Sequence, residues 1–179
     1  MSIWQAARTT SAAPTFFKRL KIGPPNAQEE FLDGGLGSNN PTKIMMHEVS
    51  ETFEKTRNVA CVISIGAGVM DITDLKKPTP FQKKFPTELA GVLRDMVTDC
   101  EGVEKEVSRW FTGKPRVYFR FNVERGLEDI KLGDAEELGN IRAKTIHYLE
   151  QDGTKRSVAE AISVLCNPST EIPISDLSN

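Results

Sequence analysis

Residues 59–65 read V-A-C-V-I-S-I. The run is almost wholly apolar, is rich in β-branched side chains, and lacks the strict alternation of a strand that is wet on one face. It therefore predicts a central strand of an α/β sheet covered by helices on both faces. Downstream, Leu89, Val92, Met96, Cys100, Val103 and Val107 recur every third or fourth residue and predict a long amphipathic helix over about 87–111, which Gly102 weakens or bends. Residues 116–121, R-V-Y-F-R-F, alternate apolar with basic side chains and predict a second strand, more exposed on one side. Asp134 with Glu137, and Ser157 with Glu160, have the spacing of capping boxes and predict two further helices, the last stopped by Pro168. Residues 169–179 read as a loose tail.

Upstream of the central run, Ile3, Ala6 and Ala7 lie at helical spacing, so a helix is expected from near Met1 to before Pro14. Thr15, Phe16 and Phe17 suggest a short extended run, and Phe31 with Leu32 another that delivers Asp33 to its end. Asn40 followed by Pro41 predicts a helix start, with Asn as cap and Pro in the first position. Strands alternating with helices make the fold class α/β.

Charged residues make up 27% and apolar residues 39% of the 179, a balance that excludes a disordered chain and allows a real core. The 23 basic and 25 acidic side chains leave a formal charge of −2. With no basic cluster interleaved with aromatic platforms, nucleic acid is not an expected partner. Cys61, Cys100 and Cys166 are odd in number and widely spaced, so they read as reduced, mostly buried thiols. His47 and His147 have no metal-ligand spacing, and neither a metal nor another cofactor is expected. No signal-peptide pattern and no run of about 18 apolar residues is present, and the expected location is cytoplasmic. Residues 70–86 read as a long surface loop whose Lys76, Lys77, Lys83 and Lys84 could touch an anionic lipid surface in transient contact.

Two glycine-rich stretches invite chemistry. Gly66-Ala67-Gly68 after a buried strand begins a dinucleotide fingerprint, but Asp71 stands where the last glycine belongs and no helix is expected to follow, so that reading is rejected. A phosphate P-loop is likewise excluded, because neither Gly-Lys-Ser nor Gly-Lys-Thr occurs. The other stretch, F-L-D-G-G-L-G-S-N-N-P at 31–41, sets an acid directly before backbone of unusual freedom. Alone, Asp33-Gly34-Gly35 is a turn signal.

It is accompanied by W-Q-A-A-R-T-T-S-A-A-P-T-F-F at 4–17 and V-I-S-I-G-A-G at 62–68. In order and spacing these three blocks resemble the patatin-like phospholipase family, and Y-F-R-F-N-V-E-R-G-L-E-D-I at 118–130 is similar to members with a longer C-terminal part. The resemblance covers residues 3 to about 150 and implies a partial three-layer α/β/α fold. It also implies a lipid acyl hydrolase, of phospholipase A or lysophospholipase type, that works with a Ser-Asp dyad and acts on lipid or phospholipid esters. Asp33 matches the dyad acid, a general base, with Gly34 and Gly35 completing the motif and letting a serine approach closely.

No serine of the chain lies in G-x-S-x-G: Ser38 has Leu36 two positions before it, and Ser64 has Val62. Residues 1–168 thus read as the C-terminal part of a patatin-like domain, after the nucleophile turn and the oxyanion loop. On this reading the chain alone is inactive and its partner is the missing N-terminal half. The alternative is a non-catalytic remnant or gene-model fragment that acts at most as an interaction module.

Overall fold

The computed structural model describes residues 1–13, 17–68, 100–114, 116–128, 130, 134–168 and 171–177. The extended run at Thr15 and Phe16, the four-lysine loop and the first part of the long helix fall outside these residues. The chain divides into two units. Among the described residues the first comprises 1–40 with 100 and 101, and the second comprises the rest.

In the first unit, helix α1 (Ile3–Thr10) opens with the Ser2 backbone N–H donating to Gln5 Oε1 at 2.8 Å. It ends where the T-T-S run folds its hydroxyls back, Thr9 onto the Ala6 carbonyl and Thr10 and Ser11 onto that of Ala7. Such local bonds compete with helix propagation, which is why the helix stops before Pro14. Strands β1 (Leu20–Ile22) and β2 (Glu29–Phe31) pair antiparallel with Leu20 opposite Phe31. An Arg19–Glu30 ion pair at 2.9 Å reinforces the hairpin. The expected strand into Asp33 is thus present.

The second unit begins with helix α2 (Thr42–Thr52). Pro41 takes the cap position rather than the first turn, so Asn40 stands one residue ahead of the cap. Its buried side-chain amide donates to the Cys100 carbonyl at 3.3 Å. The 59–65 run is split. Strand β3 (Asn58–Val59) pairs antiparallel with β6 (Ile172–Pro173), while β4 (Val62–Ile65) pairs parallel with β5 (Tyr118–Phe121), Val62 opposite Tyr118. Ala60 and Cys61 mark the change of partner.

Helix α3 (described over 100–110), together with α2 and the C-terminal segment, covers one face of the β4–β5 pair. Met46, Val62, Val107, Phe111, Val117, Ile172 and Leu177 form the core there. On the other face, Ala161 and Val164 of helix α5 (Asp152–Cys166) pack on Phe119. Helices on both faces of a parallel strand pair make a local three-layer α/β/α arrangement, in agreement with the expected mixed α/β class. Cover on that second face is incomplete, because α5 lies over β5. On β4, Ile63 is 38% and Ile65 78% exposed, a departure from the fully covered strand that the apolar run predicts.

Helix α4 (Leu138–Glu150) is preceded by a 3-10 turn at Ala135–Glu137, and the Asp134 side chain makes no cap bond to it. Glu137 accepts from the Asn140 side chain instead of closing a box. A single residue, Gln151, separates α4 from α5, so Ser157 and Glu160 lie inside a helix and cap nothing. The serine-to-glutamate spacing that signals a helix start also arises by chance on a helix face. Residues 171–177, expected to be loose, form β6 and a 3-10 turn (Ile174–Leu177) whose Ile174 and Leu177 are buried. Cys166 is exposed rather than buried, whereas desolvation pushes the half-buried Cys61 thiol up. Among the described residues no group of His, Cys, Asp or Glu converges as a metal site, and no helix is long and apolar enough to cross a membrane.

Candidate active site

Strand β2 ends at Phe31 and delivers Asp33 to the cap of a 3-10 turn, Gly34–Leu36. The carboxylate is half-buried, and its Oδ1 accepts the Gly35 backbone N–H at 2.7 Å. Oδ2 has no partner among the described residues, so the turn fixes the rotamer while leaving one acceptor uncommitted. The end of α1 lies beside the turn, with Thr10 in van der Waals range of a side chain built at Gly34. The turn closes through the Gly37 and Ser38 N–H groups, both onto the Gly34 carbonyl. Neither Gly34 nor Gly35 has positive φ. The conformational freedom that the sequence suggested there is not used.

No serine or histidine of the described residues is hydrogen-bonded to Asp33. His47 and His147 are exposed on α2 and α4. Ser38, the nearest serine in sequence, donates to the Asn40 carbonyl at 3.3 Å.

Gly66 and Gly68 do need to be glycine. The Gly66 N–H donates to the Phe121 carbonyl and the Gly68 N–H to Asn122 Oδ1, both at 2.8 Å, and Gly68 has φ +108°. A Cβ at Gly66 would lie 2.3 Å from Asn122 Oδ1 and 2.6 Å from an Arg120 nitrogen. The turn after β4 is therefore filled by side chains from the end of β5, where a dinucleotide fingerprint would hold a pyrophosphate. Gly66→Ala is expected to cost about 1–3 kcal/mol of stability through overpacking. An unchanged denaturation midpoint would show that the Asn122 contact yields freely.

Sequence reasoning missed one cluster. Ser64 and Thr42, both buried, share a hydrogen bond at 2.8 Å, and Arg120 donates to Ser64 Oγ at 2.8 Å. The available signal was a lone hydroxyl in an apolar strand facing an arginine at the paired position of the next. A guanidinium cannot take up a proton, so Ser64 is not activated as a nucleophile and the cluster joins α2 to the sheet.

Asp33 is thus a clamped carboxylate on a turn between a strand and a helix of a mixed α/β chain. Residues 1–46 match the family described as patatin-like phospholipase. Human calcium-independent phospholipase A2-gamma is 30% identical over 164 residues, covering 90% of this chain and 20% of that protein. The rat 85/88 kDa calcium-independent phospholipase A2 is 32% identical over 155 residues, covering 75% and 18%. Phospholipase A I of Arabidopsis thaliana is 31% identical over 123 residues, covering 67% and 8%. The chain thus spans no more than 20% of the length of these relatives. No solved structure matches. The chain belongs to the patatin-like phospholipase family.

Proposed function

We propose that this chain is the acid-bearing part of a lipid acyl hydrolase, in which Asp33 is the general base for a serine on another segment. The observation that supports this reading is the Asp33 carboxylate, held through Oδ1 with Oδ2 uncommitted, in the D-G-G turn of a chain of this family. A serine hydroxyl attacks an ester only when a base within hydrogen-bond reach removes its proton.

In the proposed sequence, Oδ2 accepts that proton as the serine oxygen bonds to the ester carbonyl carbon. The ester C–O bond then breaks, and the alcohol, a lysophospholipid for a phospholipid substrate, leaves with the proton. Water passes a proton to Asp33 and attacks the acyl carbon, releasing the fatty acid and restoring the serine. Gly34 and Gly35 keep side-chain bulk away from the carboxylate, which leaves room for the serine to approach. Phospholipid esters are the proposed substrate class, by relation to proteins named as phospholipases A2.

The 179 residues made alone carry no G-x-S-x-G serine and are expected to match the buffer blank on nitrophenyl esters and on phospholipid vesicles. Turnover abolished by a fluorophosphonate would reveal an unforeseen nucleophile and overturn the assignment. A second reading, a non-catalytic interaction module, is favoured by the lack of any serine bonded to Asp33 among the described residues. It gains if supplying a nucleophile-bearing segment of a relative yields no hydrolysis.

A further inference from the structure

The last turn of α1 touches the chain on either side of the β1–β2 hairpin. At the entry, the half-buried Arg8 donates from Nη2 to the Lys18 carbonyl, and its guanidinium carbon lies 5.5 Å from the centre of the Phe17 ring. At the exit, Thr10 Cγ2 would lie 3.8 Å from a Cβ placed on Gly34, the residue after Asp33. The antiparallel register, with Leu20 opposite Phe31, holds entry and exit side by side.

Among the described residues no other side chain of α1 bonds to the hairpin, because Thr9 and Thr10 turn their hydroxyls onto their own helix. The Thr10–Gly34 contact is dispersion alone and has no preferred direction. A charge-assisted bond, by contrast, fixes both distance and angle.

Arg8 is poorly suited to stabilising the fold. Among the described residues its Nη1 is buried without a hydrogen-bond partner, and it enters no ion pair. A desolvated, incompletely satisfied guanidinium costs stability that an apolar side chain of similar length would not. What it supplies is direction.

We propose that Arg8 is a positioning residue. By tying the entry of the hairpin to α1, it sets where the exit carries Asp33, and so where Oδ2 meets the serine. That role rests on the lipid-ester reading above. Catalysis is sensitive to such placement, since a displacement of about 1 Å costs about 100-fold in rate.

Arg8→Met keeps the length of the side chain and removes its donors. Nuclear Overhauser spectra of the 179-residue chain should show the Thr10 methyl close to the Gly34 α-protons, and Arg8→Met should abolish that contact. The cross-strand contacts of Leu20 with Phe31 should persist, and the melting temperature should hold or rise. In the protein completed by a G-x-S-x-G segment of a related phospholipase, kcat and kcat/KM should fall together, at least about 10-fold, with KM little changed. Arg19→Met removes the same charge from an exposed ion pair on the same hairpin and should alter neither reading.

A Thr10–Gly34 contact that is absent from the unsubstituted chain, or that survives Arg8→Met, would overturn the proposal. Loss of the cross-strand contacts with a lowered melting temperature would also do so, by making Arg8 a support of the fold. An equal effect of Arg19→Met would reduce the result to charge. Full activity of Arg8→Met where Asp33→Asn is inactive rejects the positioning role and leaves the base in place. Full activity of both rejects the hydrolase reading, and the Thr10–Gly34 contact, measured without turnover, then decides by itself whether Arg8 sets the turn.

Discussion

Asp33→Asn should lower ester hydrolysis at least about 100-fold in a protein completed by a G-x-S-x-G segment of a related phospholipase, fused ahead of Met1 or co-expressed. The substitution is informative because the structure separates the two uses of the side chain. Oδ1 of an asparagine can still accept the Gly35 N–H, so the turn and the strand that feeds it should persist with little change in stability. The second position loses its charge and becomes an NH2 group that cannot accept a proton. A turn residue would tolerate the exchange almost silently, whereas a base would not. Retention of most of the activity, with the melting profile unchanged, would reject the catalytic assignment and leave Asp33 a structural acid.

Leu177→Ala should destabilise the second unit by about 2–5 kcal/mol, the range for truncating a fully buried leucine. Leu177 is 2% exposed and joins Met46, Val107, Phe111 and Val117 in one cluster, beside β6. Since small domains are stable by only about 5–15 kcal/mol, this loss should be plain in a urea titration. Trp110 packs against the same cluster and provides the fluorescence signal. A midpoint unmoved by the substitution would mean that residues 174–177 are not docked in solution.

Local signals reached the elements whose causes are local. The T-T-S run ends α1, the apolar stretch at 62–65 is a strand with helices on both sides, and the D-G-G triplet is a turn that presents its acid. The sequence was misleading where a distant partner decides. Asn40 has every property of a helix cap, but the cap position falls on Pro41, and the Asn40 amide donates to a carbonyl sixty residues away. The I-P-I-S-D-L segment is short and polar enough to read as tail, and only its pairing with β3 makes its apolar side chains part of a core. At the site, the acid was legible because its neighbours carry a recognisable order. The Thr42–Ser64–Arg120 cluster was not, because it gathers single residues from three elements.

The partnership of β3 with β6 also sets an order of events during synthesis. Asn58 Nδ2 donates to Glu171 Oε2 across 113 residues, and Ile174 N–H donates to the Arg57 carbonyl. Pairings this distant in sequence form late and close the longest loops. On the ribosome, β3 and the apolar faces of α2 and α3 are made first and must wait, uncovered, until the segment up to Leu177 emerges. Translation proceeds at about 5–20 residues per second, so this interval lasts several seconds. During that time the nascent chain offers an unpaired strand and an open core to chaperones, and a pause before residue 171 lengthens that exposure.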